Sequence, residues 1–143
     1  MRAVLAALAL AVSGAASADF RTVEENAAVL YDAPSRAATR LFVVSRFYPL
    51  EVIVNLDAWV KVRDHTGALA WIESKSFGNR RMVLVTGAQA EARQRPDDSA
   101  PITFVAAQNV ALELIEVAPA GWLRVRAADG ADGFVRASQV WGS

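Results

Sequence analysis

No cysteine occurs in the 143 residues, so disulfides and thiolate chemistry are closed to the chain. Its fold must be held by apolar cores and by packing between neighbours. A Cys-His peptidase is excluded, and a lipoprotein anchor built on an acylated cysteine is not expected. His65 is the only histidine, too few for a recognisable zinc site. Glycine and proline are sparse (8 and 5) against an apolar fraction of 54%, a globular and not a disordered composition. Charge of one sign is lacking too, with 15 basic and 15 acidic side chains. A dedicated nucleic-acid binder usually carries a clear basic excess, so no nucleic-acid partner is expected.

Long apolar runs are also missing, with one exception at the start. Arg2 precedes an apolar stretch from Ala3 to Val12, followed by small residues and Ala16-Ser17-Ala18. This is the pattern of a secretory signal peptide with a small-x-small cleavage site, over residues 1–18. The stretch is shorter than the ~20 residues needed to span a bilayer, and no second run approaches that length, so no membrane span is expected. The mature chain should begin at Asp19 and act in the periplasm or outside the cell. Loss of Arg2 leaves it with one acidic side chain in excess.

The chain repeats itself. Shifted by 63 residues, WVKVRDHTGALAWI (Trp59 to Ile72) falls without a gap on WLRVRAADGADGFV (Trp122 to Val135), pairing Trp59 with Trp122, Val62 with Val125, Arg63 with Arg126 and Gly67 with Gly130. Shifted by 62, Pro34 meets Pro96, Phe42-Val43 meets Phe104-Val105, and Leu50 to Ile53 meets Leu112 to Ile115. The extra residue falls in Ala118-Pro119-Ala120-Gly121, a turn-like stretch that tolerates insertion. A repeated order of this kind marks two copies of one structural unit.

Within each unit the apolar period is near 2. Trp59, Lys61 and Arg63 fall on one face of a strand and Val60 and Val62 on the other. Val43-Val44, Val52 to Val54, Val83 to Val85 and Ile102 to Val105 supply further β-branched and aromatic runs. Turn signals at Asp32 to Ser35, Asp64 to Gly67, Arg95 to Asp98 and Asp129-Gly130 separate them. About five short strands per ~60 residues, with no helix-period segment, predict an all-β chain with a small closed barrel in each half.

The Pro-bearing turn LYDAPS (Leu30 to Ser35), an apolar strand carrying Glu51, then WVKVR, a Gly turn and Trp71-Ile72 resemble the bacterial Src-homology-3-like (SH3-like) domains, here in tandem. The resemblance extends over nearly all of residues 24–142. It implies two SH3-like β-barrels, residues 24–85 and 86–143, behind a short tail at 19–23. It further implies an exported protein that recognises peptidoglycan or peptide ligands. The second unit has Arg93-Gln94-Arg95-Pro96 where the first has Tyr31-Asp32-Ala33-Pro34, so a ligand groove using Tyr31 would exist once.

Candidate chemistry is thin. His65 reads as a solvent-exposed turn residue, because a catalytic base needs an activated nucleophile and its counterpart is Ala128. Asp129 to Gly133 lacks the further oxygen ligands and closing Glu of a calcium loop and reads as a hairpin. Asp97 and Asp98 are adjacent, so they point apart and do not form an acid-base pair. Lys75, Arg80 and Arg81 form a basic connector before the run Met82 to Val85, either a solvated linker or a contact for an anionic partner.

The aromatic-basic strand faces remain. Trp59 with Lys61 and Arg63, and Trp122 with Arg124 and Arg126, set a flat ring beside two cations. Such a face can hold a sugar or peptide by stacking, cation–π contact and carboxylate bonding, with Tyr31 or Tyr48 as another wall in the first unit. The same pattern would also arise if the Trp merely closes the barrel end under the basic stems. The sequence thus points to a non-catalytic, extracytoplasmic binding or adaptor protein of the bacterial cell envelope. It would need no cofactor, and its partner would be a cell-wall polymer or a peptide or protein ligand. The alternative is a regulatory or inhibitory partner of an envelope enzyme.

Overall fold

The computed structural model describes residues 18–143; the expected signal peptide lies, but for Ala18, outside the described residues. Among the described residues, fourteen strands form two sheets. The first sheet holds β1 (Phe20–Val23), β2 (Ala27–Tyr31), β3 (Arg40–Ser45), β4 (Pro49–Asn55), β5 (Trp59–Arg63), β6 (Leu69–Glu73) and β7 (Phe77–Gly78). The second holds β8 (Met82–Val85), β9 (Gln89–Arg93), β10 (Ile102–Ala107), β11 (Ala111–Ala118), β12 (Trp122–Arg126), β13 (Asp132–Arg136) and β14 (Val140–Trp141). Both are antiparallel with the same order, β3-β2-β6-β5-β4-β1-β7 and β10-β9-β13-β12-β11-β8-β14, so the repeat in the sequence is a repeat of topology.

Each sheet wraps its own core. Val23, Leu30, Leu50, Val60, Val62 and Ile72 fill the first; Val83, Val85, Leu112, Leu123, Val125 and Val135 fill the second. The period-2 pattern does this directly, since β5 alternates half-buried Trp59 and Lys61 with fully buried Val60 and Val62. At Gly67 and Gly130 the turn requires φ of 91° and 90°, which glycine adopts without the Cβ penalty. Asp64 Oδ1 accepts from the Thr66 and Ala68 N–H groups in the first turn, and Asp129 Oδ1 from Ala131 N–H in the second.

Two expectations are corrected. The ladders do not close into barrels: β3 and β10 each form a backbone ladder only with the strand before them, and two-residue β7 and β14 end the sheets at the other side. Register shifts beside Ile53 and beside Ile115 bend the long strands β4 and β11 over the cores. The bend brings side chains together from the two ends without joining the terminal strands, and β3 keeps five of its six residues exposed.

The boundary between units also differs. Residues 20–23 are no tail but β1, hydrogen-bonded to β4 and β7. Residues 82–85 belong to the second sheet as β8, between β11 and β14. All four residues of β8 are buried, because one side faces its own core and the other meets the first unit, where Met82 N–H donates to the buried Thr22 Oγ1 at 3.1 Å. A strand covered on both faces shows a continuous apolar run and loses the alternation that would have marked its sheet.

Candidate functional site

On the outer face of the first sheet, Trp59 is half-buried and meets the Tyr31 ring edge-on, with centroids 5.5 Å apart and planes at 81°. Tyr31 is itself buried, at 6% exposure, and braces the indole. Strand register sets Lys61 opposite Trp71, and Trp71 opposite Tyr31. Lys61 makes no ion pair among the described residues, whereas Arg63 pairs across β4 and β5 with Glu51 at 3.2 Å. Of the predicted face, a braced ring and a free ammonium remain for a ligand. Tyr48 stands elsewhere, at the Asp64–Gly67 turn, where its hydroxyl hydrogen-bonds His65 Nδ1. Burial holds its phenol above the ordinary value.

The second unit spends the equivalent groups internally. Trp122 is only 4% exposed, and the Arg136 guanidinium covers its ring at 4.4 Å. Arg124 is gripped by Asp132, with Nε–Oδ1 of 3.2 Å and Nη2–Oδ2 of 2.8 Å, and Arg126 shares the same carboxylate at 3.6 Å. The Arg124 hydrogen bonds hold the Asp132 carboxyl below the usual carboxylate range. Asp132 lies in the stretch read as a hairpin, and its grip on Arg124 is not legible in the repeat because its counterpart in the first unit is apolar Leu69. A shallow concavity of about 300 Å³ lies beside this pair, lined by Gln94, Thr103, Arg124, Asp132, Gly133 and Phe134.

The reason for the asymmetry is a reversed ion pair. In the first unit Arg36, on the β2–β3 loop, donates to Glu73 at 2.8 Å. The counterparts are Asp98 and Arg136, which also bond to each other, with the signs exchanged. The exchange puts a carboxylate opposite Trp59 in the strand register and a guanidinium opposite Trp122. Of the two charges the cation is the one attracted to the face of an indole ring, so Trp122 is covered by Arg136 of its own unit.

The remaining candidates separate. His65 is exposed but lies between two rings, with Tyr48 at 5.8 Å and Trp141 of the second unit at 6.5 Å. Trp141 in turn meets Phe20 edge-on at 5.0 Å. This aromatic chain joins the units, and no spacing rule on one strand could have found it. Asp97 caps its own turn through Ser99 while Asp98 turns to Arg136. The basic connector disperses: Arg81 donates to the Gly142 carbonyl and Arg80 lies over the Phe47 ring. Among the described residues no cluster of three or more His, Asp or Glu stands ready for a metal ion, and no helix is long and apolar enough to cross a membrane.

No curated protein matches the chain. Solved structures that resemble it include NlpC2 from Trichomonas vaginalis, at 13% identity over 89% of this chain and 49% of that one with a TM-score of 0.42. NlpC1 from Trichomonas vaginalis gives 14% identity, 96% and 51% coverage, and a TM-score of 0.41. An NlpC/P60 family protein from Bacillus cereus ATCC 10987 gives 17%, 86% and 56%, and 0.40. The chain spans about half the length of these structures. The family model described as bacterial SH3 domain matches twice, over residues 24–76 and 86–142, in agreement with the two equal sheets; the chain belongs to the bacterial SH3 domain family.

Proposed function

We propose that the protein is a non-catalytic binding or adaptor module of the bacterial cell envelope, exported by removal of residues 1–18, and that its first unit holds the ligand. The observation that carries this reading is the half-exposed Trp59 ring, braced by Tyr31 and set on the same strand face as Lys61, which has no acidic partner among the described residues. A rigid indole offers stacking area at little entropic cost, and a neighbouring ammonium supplies an anchor for a hydroxyl or carboxylate. Membership of the bacterial SH3 domain family supports a recognition role. A cell-wall polymer, which presents sugar faces beside peptide carboxylates, fits both groups. Lys61 and Trp59 would act by contact alone, with no bond made or broken.

The test is cosedimentation with purified peptidoglycan. Trp59→Ala and Lys61→Ala should each reduce the bound fraction at least fivefold, while Arg124→Ala in the second unit leaves it unchanged. Equal sedimentation of all variants overturns the assignment of the face. Release of soluble fragments from the polymer overturns the non-catalytic reading. Exported protein should have an intact mass that starts at Asp19.

A further inference from the structure

A second concavity of about 310 Å³ lies between the two units, and its origin is visible in the repeat. On one side the units are joined by Phe20, Tyr48, His65 and Trp141. The counterparts of these four are Met82, Val110, Ala128 and Gly78, each smaller than the ring it replaces. Met82 and Ala128 line the cleft, together with Phe47, Arg80, Ala111, Glu113 and Arg126. At Met82 and Ala128, the counterparts of Phe20 and His65, space that rings occupy in the first unit is left open to the cleft.

The cleft carries two cations that the protein itself pairs loosely or not at all. Arg80 lies over the Phe47 ring at 5.1 Å and makes no ion pair among the described residues. Glu24 is already held by Arg46, whose own guanidinium covers the same ring at 4.8 Å. Arg126 reaches only the long contact to Asp132, since Arg124 takes both of that carboxylate's oxygens. Two cations therefore border an apolar floor of Met82, Ala111 and Ala128. Glu113, opposite Arg126 in the strand register, supplies one acceptor.

We propose that this cleft is a second binding site, for the free carboxylate end of a short peptide. The carboxylate meets Arg80 and Arg126, where charge-assisted hydrogen bonds are strongest and a fork of donors suits a planar acid. The small side chains before it lie on the apolar floor, and Glu113 accepts a peptide N–H. A terminal carboxylate satisfies the cations at the closed end of a chain, whereas a bulky ring would not follow the small residues of the floor. The site is independent of the Trp59 face, and Arg126, although predicted as part of the Trp122 face, belongs to it through the cleft.

The test uses the full chain and the tripeptide N-acetyl-Ala-Ala-Ala, as free acid and as C-terminal amide, followed by amide chemical shifts in NMR. The acid should move the Ala111, Ala127 and Ala128 signals, and the amide should bind at least tenfold more weakly. Arg80→Ala and Arg126→Ala should each weaken the acid at least tenfold, and Ala128→Trp should abolish binding by refilling the cleft. Lys61→Ala should leave tripeptide binding intact, so this result and the peptidoglycan result fail separately. Equal binding of acid and amide, no shift at these three signals, or full affinity in both arginine variants overturns the proposal.

Discussion

At the scale of single residues, two substitutions test how tightly the cores are fixed. Val62 has no exposure and packs among the first core, so Val62→Asp buries a charge without a partner, a cost on the order of 4 kcal/mol. Circular dichroism should show loss of the cooperative transition of that unit. Gly133 is subtler. A Cβ there would stand 2.6 Å from Thr103 Oγ1 and 2.9 Å from Ala92 Cβ, and Ala92 has no flexible end to move away. Gly133→Ala should therefore destabilise by about 1–3 kcal/mol through overpacking. Its counterpart, Ala70, is accommodated in the first unit. A denaturant midpoint for Gly133→Ala equal to wild type would mean that β10 shifts without cost.

At the scale of elements, the decisive contact of the second unit is the Asp132 carboxylate on β13, shared by Arg124 and Arg126 of β12. Its proton affinity is lowered in the fold, chiefly by the Arg124 hydrogen bonds. A carboxyl depressed in this way contributes stability above its unfolded value, and that contribution is lost as pH falls through the folded value. The window therefore opens near pH 4 and extends downward, since the ordinary value is 3.8. Thermal melts should show wild type above Asp132→Asn at about pH 5, with the gap narrowing toward about pH 2. A gap that does not change with pH would assign the effect of Asp132 to packing. The solvent-screened position of the pair limits its size. The reversed loop pairs, Arg36 with Glu73 and Asp98 with Arg136, show that one connection can be kept while the charge beside each Trp is inverted.

At the scale of the whole molecule, the units meet through β8 and the Phe20–Trp141–His65–Tyr48 rings. A fragment of residues 19–85 would carry β8 without β11 and β14, leaving Met82 to Val85 uncovered on one side. A fragment ending at residue 80 avoids this. The shorter piece should stay monomeric in sedimentation while the longer one self-associates, because an uncovered apolar strand is an edge ready to pair. Equal behaviour would show that β8 finds cover within the first unit. The sequence by itself determined the all-β class, the two equal units and the inward set of valines, since alternation along a strand and a repeat offset are properties of neighbours in the chain. Only tertiary structure decided which sheet took β8, whether the ladders closed, and which Trp stayed open. Each of these turns on groups far apart in sequence: Thr22 with Met82, Arg136 with Trp122 through its ion pair to Asp98, and His65 with Trp141. A periodicity of two names the face on which a side chain lies, and it carries no information about what the rest of the molecule lays over that face.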